Sequence, residues 1–139
     1  MNEPEAVEIL LVEDNPNDAE LTQRALKKTN LDVRLAIARD GAEALEYLLS
    51  NRPKPKVIFL DLKLPKIDGI EVLRRVRADD RLRSVPVVVL TSSQEERDIS
   101  QCYKLGVNSY IVKPVEFDKF YRAVGDLATY WLVLNKSPL

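Results

Sequence analysis

Histidine is absent from this 139-residue chain, and cysteine occurs once, at Cys102. A single thiol closes no disulfide within the chain, and without imidazole or paired thiolates there is no Cys/His zinc site. Ser-His-Asp and Cys-His catalysis, and any imidazole general base, are excluded on the same ground. Glycine is scarce too. Gly41, Gly69, Gly106 and Gly125 are the only four, and their spacing makes neither GxGxxG nor GxxxxGK(S/T), so no phosphate-cradling nucleotide loop is expected. No apolar run approaches the roughly 20 residues of a membrane span. The N-terminus, MNEPEAVEIL, is acidic where a signal peptide is basic. With 21 Lys and Arg against 22 Asp and Glu, the net charge of −1 gives no field that gathers nucleic acid or an anionic membrane. A cytoplasmic protein that binds neither is the expectation.

What remains is suited to one globular domain. Apolar residues make up 45% and charged residues 31% of the chain, an ordinary balance for a fold with a real core. Five short runs rich in Val, Ile and Leu recur: Val7–Val12, Val33–Ala38, Val57–Leu60, Val85–Leu90 and Ser109–Val112. They are mostly without alternation, as are strands buried on both faces of a parallel sheet. Helix signals lie between them. Asn15-Pro16 offers an N-cap with proline at the first helical position. Asp40 to Glu43 and Ser93 to Glu96 fit the capping box. Gly106 stands where a helix would stop, and Asn51 to Pro55 reads as a loop. From Glu116 to about Leu134, Phe117, Phe120, Val124, Leu127, Trp131 and Leu134 form one apolar stripe on a long helix. Strand-helix alternation five times over predicts an α/β fold, a five-stranded parallel sheet with helices on both faces. The order 2-1-3-4-5 is a strong candidate and sets a ligand crevice where strands 1 and 3 meet. The domain spans 7–134, between a mobile tail of residues 1–6 and a short tail of residues 135–139.

Polar residues gather just past the strand ends. The segment FLDLKLPKIDG carries an apolar strand straight onto the carboxylate of Asp61. Glu13-Asp14 follow the first run, Thr91-Ser92 the fourth and Lys113-Pro114 the fifth. In the order 2-1-3-4-5, Glu13, Asp14 and Asp61 converge. Three carboxylates in one place repel unless a proton or cation relieves them. Oxygen ligands without His or Cys suit a hard cation such as Mg²⁺ or Mn²⁺. A carboxylate nucleophile, a divalent ion, a lysine and a hydroxyl together suit phosphoryl transfer through an aspartyl phosphate.

These motifs resemble the receiver domain of two-component response regulators, the CheY-like family. The residues that carry the likeness are LLVEDN with Glu13 and Asp14, FLDLKLPKIDG with Asp61, VVLTSS with Thr91, and SYIVKP with Tyr110, Lys113 and Pro114. The resemblance implies that Asp61 is the phosphoacceptor and that Glu13, Asp14, Asp61 and the Lys63 carbonyl hold Mg²⁺ or Mn²⁺. It implies that Lys113 pairs with the phosphoryl group, Thr91 moves toward it and Tyr110 turns inward. It also implies a cis peptide between Lys113 and Pro114, and a histidine kinase partner that supplies the phosphoryl group. LPKIDGIEVL, VPVVVLTSS and the terminal YWL resemble the stand-alone receivers that serve bacterial and cyanobacterial phytochrome kinases. Such a protein is a phosphoacceptor switch rather than a conventional enzyme, and it assists its own phosphorylation and dephosphorylation. With only Asn135–Leu139 after the last helix, the expected output is a protein contact.

Other readings are weighed against this one. Asp61 as a plain loop cap, Glu13-Asp14 as acids favourable to a helix start, and Lys113 as a solvated lysine are each natural in isolation. A haloacid-dehalogenase-like hydrolase needs a second acid two residues past its nucleophile, and Lys63 stands there. A phosphorylation-independent receiver-like interaction module is the remaining alternative. Cys102 reads as a small core residue. Tyr121, Ala128, Tyr130, Leu132 and Val133 add apolar area off the main stripe of the last helix. A helix apolar on more than one side points to a second partner, here a homodimer face.

Overall fold

A computed structural model describes residues 6–138. Met1 to Glu5 and Leu139 lie outside the described residues, and with them nearly all of the expected N-terminal tail. The elements alternate as β1 (Ile9–Val12), α1 (Pro16–Lys27), β2 (Leu35–Ala38), α2 (Gly41–Leu49), β3 (Val57–Leu60), α3 (Gly69–Ala78), β4 (Val87–Thr91), α4 (Glu96–Lys104), β5 (Ser109–Val112) and α5 (Phe117–Thr129). The five strands form one parallel sheet in the order β2-β1-β3-β4-β5, as the sequence predicts. β1, β3 and β4 are buried along their whole length, whereas the edge strands β2 and β5 are mostly half-buried.

Successive strand residues point to opposite faces, and each face carries its own core. Leu10, Val12, Ile58, Leu60, Val87 and Val89 pack under Ala44, Leu48, Val72 and Val76 of α2 and α3. Ile9, Leu11, Val57, Phe59, Val88 and Leu90 pack under Ala19 and Leu26 of α1 and Phe120, Val124 and Ala128 of α5. Cys102 is fully buried in the first layer, the small core residue expected.

The caps are local and legible. Asn15 Oδ1 accepts the backbone N–H groups of Asn17 and Asp18 at 2.9 and 3.2 Å. Asp40 Oδ1 accepts from Glu43 N at 2.7 Å, and Glu43 reaches back to Arg39 N at 3.1 Å. Gly106 follows α4 at φ +87° in a Schellman closure, with its N–H on the Tyr103 carbonyl and Val107 N–H on that of Cys102.

Some boundaries differ from expectation. β1, β2 and β4 begin two residues later than their apolar runs, and β4 continues through Thr91. Ser93 is not the N-cap: α4 starts at Glu96 after Glu95, and the Ser93 hydroxyl accepts Glu95 N–H at 3.3 Å and donates to Asp98 Oδ2 at 2.6 Å. The last helix is not uniform either. After Thr129 it widens into a π-helical turn, Tyr130–Leu134, closed by Asn135 N on the Tyr130 carbonyl at 2.7 Å. One extra residue in the turn shifts the stripe. Leu132 joins Trp131 against the core, while Leu134 is 71% exposed. Phe117, at the other end of the expected stripe, is half exposed as well.

Candidate functional site

The sheet delivers its polar residues to the C-terminal ends of its strands. Residues Val12 and Leu60 are register partners on β1 and β3, so the residues that follow them, Glu13 and Asp61, emerge side by side. Asp61 N–H donates to the Val12 carbonyl at 3.0 Å and fixes that exit. On β4 and β5, Thr91 is paired with Val112. Lys113 N–H donates to the Thr91 carbonyl at 2.7 Å, which places the lysine at the same end.

Glu13, Asp14 and Asp61 each offer a carboxylate oxygen, and these oxygens lie within 4.8 Å of one another. Glu13 and Asp61 are buried, at 3% and 8% exposure, while Asp14 is exposed. Three anionic oxygens, two from buried residues and one open to solvent, fit a hard divalent cation that keeps some of its water. Lys63 stands at the rim, where its backbone N–H donates to Asp61 Oδ1 at 3.4 Å. It lines a cleft of about 420 Å³ together with Asp14, Pro65 and Asp68.

Lys113 closes the other side. Its Nζ donates to Glu13 Oε1 at 2.6 Å, to Asp18 Oδ2 at 2.8 Å and to Asp61 Oδ2 at 3.1 Å. An ammonium has three protons, and here each finds a carboxylate. Burial works against the charge, but the bonds to Asp18 and Glu13 and the charges of Glu13 and Asp61 outweigh it. They hold the Lys113 pKa above the ordinary lysine range. Burial pushes the Glu13 carboxyl up to about 7; the Lys113 hydrogen bond opposes the rise and the charge of Asp61 adds to it.

Thr91 is fully buried at the end of β4, and its hydroxyl accepts Ser93 N–H at 3.4 Å. Tyr110 is half-buried against the α2/α3 layer, and its hydroxyl donates to the Ser93 carbonyl at 3.0 Å. Burial comes first among the effects that raise the Tyr110 pKa. Glu13, Asp14, Asp61, Thr91 and Lys113 therefore reach one end of the sheet, and Lys63 and the Tyr110 hydroxyl contact residues beside it. One expectation is corrected. No cis peptide occurs among the described residues, so Lys113 joins Pro114 through a trans bond. Trans is the lower isomer even before proline, by about 0.5–1 kcal/mol.

Asp18 was not singled out in the sequence. The available signal was its position one helical turn past Asp14, just inside a helix capped by Asn15. The Ser93–Asp98 bond likewise has no distinctive sequence pattern.

Among known proteins, residues 9–125 match the response regulator receiver domain. The chain is 44% identical over 134 residues to the probable methanogenesis regulatory protein FilR2 of Methanothrix harundinacea, covering 94% of this chain and 86% of that one. It is 41% identical over 129 residues to the response regulator Rcp1 of Synechocystis sp., covering 89% and 88%. The crystal structure of the Mn²⁺-bound form of Rcp1 superposes with a TM-score of 0.90 over 96% of this chain and 99% of that one. The phosphorylated cyanobacterial phytochrome response regulator RcpA, 39% identical, gives 0.89 over 97% and 100%. With this fold and this match over most of its length, the chain belongs to the response regulator receiver domain family, the phosphoacceptor switches of two-component phosphorelays.

Proposed function

We propose that Asp61 is the phosphoacceptor of this receiver and that Glu13, Asp14, Asp61 and the Lys63 carbonyl hold Mg²⁺ or Mn²⁺ beside it. The observation that carries the reading is the convergence of three carboxylates and one lysine on the end of β3. One oxygen of Asp61 attacks the phosphorus of a phosphohistidine on a partner kinase. The P–N bond breaks, its electron pair returns to the imidazole, which takes up a proton, and an acyl phosphate remains on Asp61. The bound cation supplies positive charge against the phosphoryl oxygens. Lys113 donates from the opposite side, at a distance it already keeps from Asp61. Water attack on the same phosphorus would restore the carboxylate and release phosphate.

The readout proposed is a shift between two conformations, of which the phosphorylated state favours one. The Thr91 hydroxyl moves toward the phosphoryl group, and Tyr110 follows into the space it leaves. Both residues bond to the backbone of Ser93, so one loop links them. The likeness to Rcp1 and RcpA supports a phytochrome-type histidine kinase as the phosphoryl source.

Tyr130, Val133 and Leu134 stand 48%, 57% and 71% exposed at the end of the last helix and support a homodimer face there. Of the other residues expected on that face, Ala128 is buried in the core, and Tyr121 and Leu132 pack against it. Transfer from a radiolabelled phosphorylated histidine kinase tests the reading: label moves to the wild-type chain and not to Asp61→Asn. Equal labelling of both would place the acceptor elsewhere.

A further inference from the structure

Asp18 is the one partner of Lys113 that lies outside the cation set. The carboxylates able to share a cation are Glu13, Asp14 and Asp61. Asp18 sits on α1 and lines a different cleft, of about 320 Å³, with Lys113, Pro114 and Phe117. The cleft of Asp14 and Lys63 is a separate one, and Lys113 does not line it. A cation drawing on Glu13 and Asp61 takes electron density from two of the three groups that hold the ammonium. The bond to Asp18, at 2.8 Å, is the one left untouched.

The backbone also fixes Asp18. The Asn15 side chain accepts its N–H at 3.2 Å, and its carbonyl accepts the Thr22 hydroxyl at 2.8 Å. Its side chain is 30% exposed, against 10% for Lys113. An acid in the first turn of a helix is also favourable to that helix, which is the ordinary explanation for it. That explanation requires no contact with Lys113, and the contact is there.

We propose that Asp18 is a positioning residue for the phosphorylation reaction: it tethers the Lys113 ammonium from the α1 side. The lysine therefore stays at the mouth of Asp61 while a cation occupies Glu13, Asp14 and Asp61. Two of its three protons are then directed at the place where phosphoryl oxygens arrive. This rests on the reading of Asp61 as phosphoacceptor.

The test has two arms. In the first, the rate of phosphoryl uptake from phosphoramidate with Mg²⁺ is followed by intact mass for wild type, Asp18→Asn, Asp18→Glu, Lys113→Ala and the double variant Asp18→Asn/Lys113→Ala. Loss of the outer partner that orients a metal ligand costs about 10- to 100-fold, and the same scale is expected for the partner that orients Lys113. Asp18→Asn is expected to fall by that factor while still folded at the assay temperature, Asp18→Glu to recover most of the loss, and the double variant to match Lys113→Ala. A wild-type rate in Asp18→Asn, or a full further loss in the double variant, overturns the proposal.

The second arm uses ammonium-selective ¹H–¹⁵N NMR, with Lys113→Ala assigning the signal. The Lys113 resonance is expected to be protected from water exchange in wild type, with and without Mg²⁺, and to be lost on Mg²⁺ addition in Asp18→Asn. Equal protection in both overturns it. If wild type takes up no phosphoryl group, the reading of Asp61 has failed, and the spectra of wild type and Asp18→Asn in Mg²⁺ still decide whether Asp18 holds the lysine.

Discussion

Lys113 Nζ lies 3.1 Å from Asp61 Oδ2, although 52 positions separate the two residues. β4 stands between their strands, and its register with both neighbours brings the two strand ends level. The ammonium is the cation by which buried Glu13 and Asp61 are paired. Removing one partner of a buried ionic group leaves the others without compensation, at about 3–5 kcal/mol.

Lys113→Ala is therefore expected to lower the thermal midpoint in metal-free buffer. Mg²⁺ is expected to recover more of the midpoint in this variant than it adds to wild type, since a ligand of the folded state stabilises by mass action. Calorimetry with and without Mg²⁺ reads both quantities. Equal Mg²⁺ responses in the two proteins would count against cation binding at Glu13, Asp14 and Asp61.

Gly69 governs the loop after the acceptor. A Cβ there would overlap the Asp61 carbonyl oxygen and crowd Leu62 Cα. Gly69 N–H also donates to the Leu62 carbonyl at 2.8 Å, so the backbone cannot retreat without losing that bond. Gly69→Ala is expected to cost about 1–3 kcal/mol, the usual range for overpacking, and to slow phosphoryl uptake by displacing Asp61. Urea denaturation and intact-mass kinetics check the two effects; wild-type values in both would refute the close approach.

Cys102 is inert for two reasons. It is fully buried, and its thiol pKa is pushed up to about 11 by burial first and by the charge of Asp98 second. The thiolate is the reactive form, so at pH 8 the native protein is expected to resist an aromatic disulfide reagent and to react fully once unfolded. Labelling of the native chain at the rate of a free thiol would show that this layer opens.

The proposed homodimer face predicts a concentration-dependent mass in sedimentation. Leu134→Glu is expected to abolish it while leaving the monomer folded, because the side chain is largely exposed. A monomer at high concentration, both with and without phosphorylation, would remove that face from the account.

The fold was legible where burial leaves a strong mark. The continuous runs of β1, β3 and β4 are buried on both faces, and Asn15 and Asp40 cap the helices they announce. The exact starts were less legible: apolar residues such as Val7, Val33 and Val85 continue a run beyond the ladder itself. Ser93 was misread because a hydroxyl before an acidic pair suits a cap, while here the helix starts later and a local bond draws the hydroxyl to Asp98 in its first turn. The π turn at Tyr130–Leu134 obeys no periodic rule in the sequence. At the site, the residues that follow the strands were found at the ends of the apolar runs, with 2-1-3-4-5 as the candidate order, and their roles came from the family resemblance. Asp18 was hidden because its role depends on a side-chain contact across 95 positions.

The most direct measurement is the intact mass of the protein after incubation with acetyl phosphate or phosphoramidate, with and without Mg²⁺, beside an Asp61→Asn control. The account predicts a Mg²⁺-dependent gain of one phosphoryl group in wild type and none in the control. No gain under any condition, or the same gain in Asp61→Asn, would contradict it.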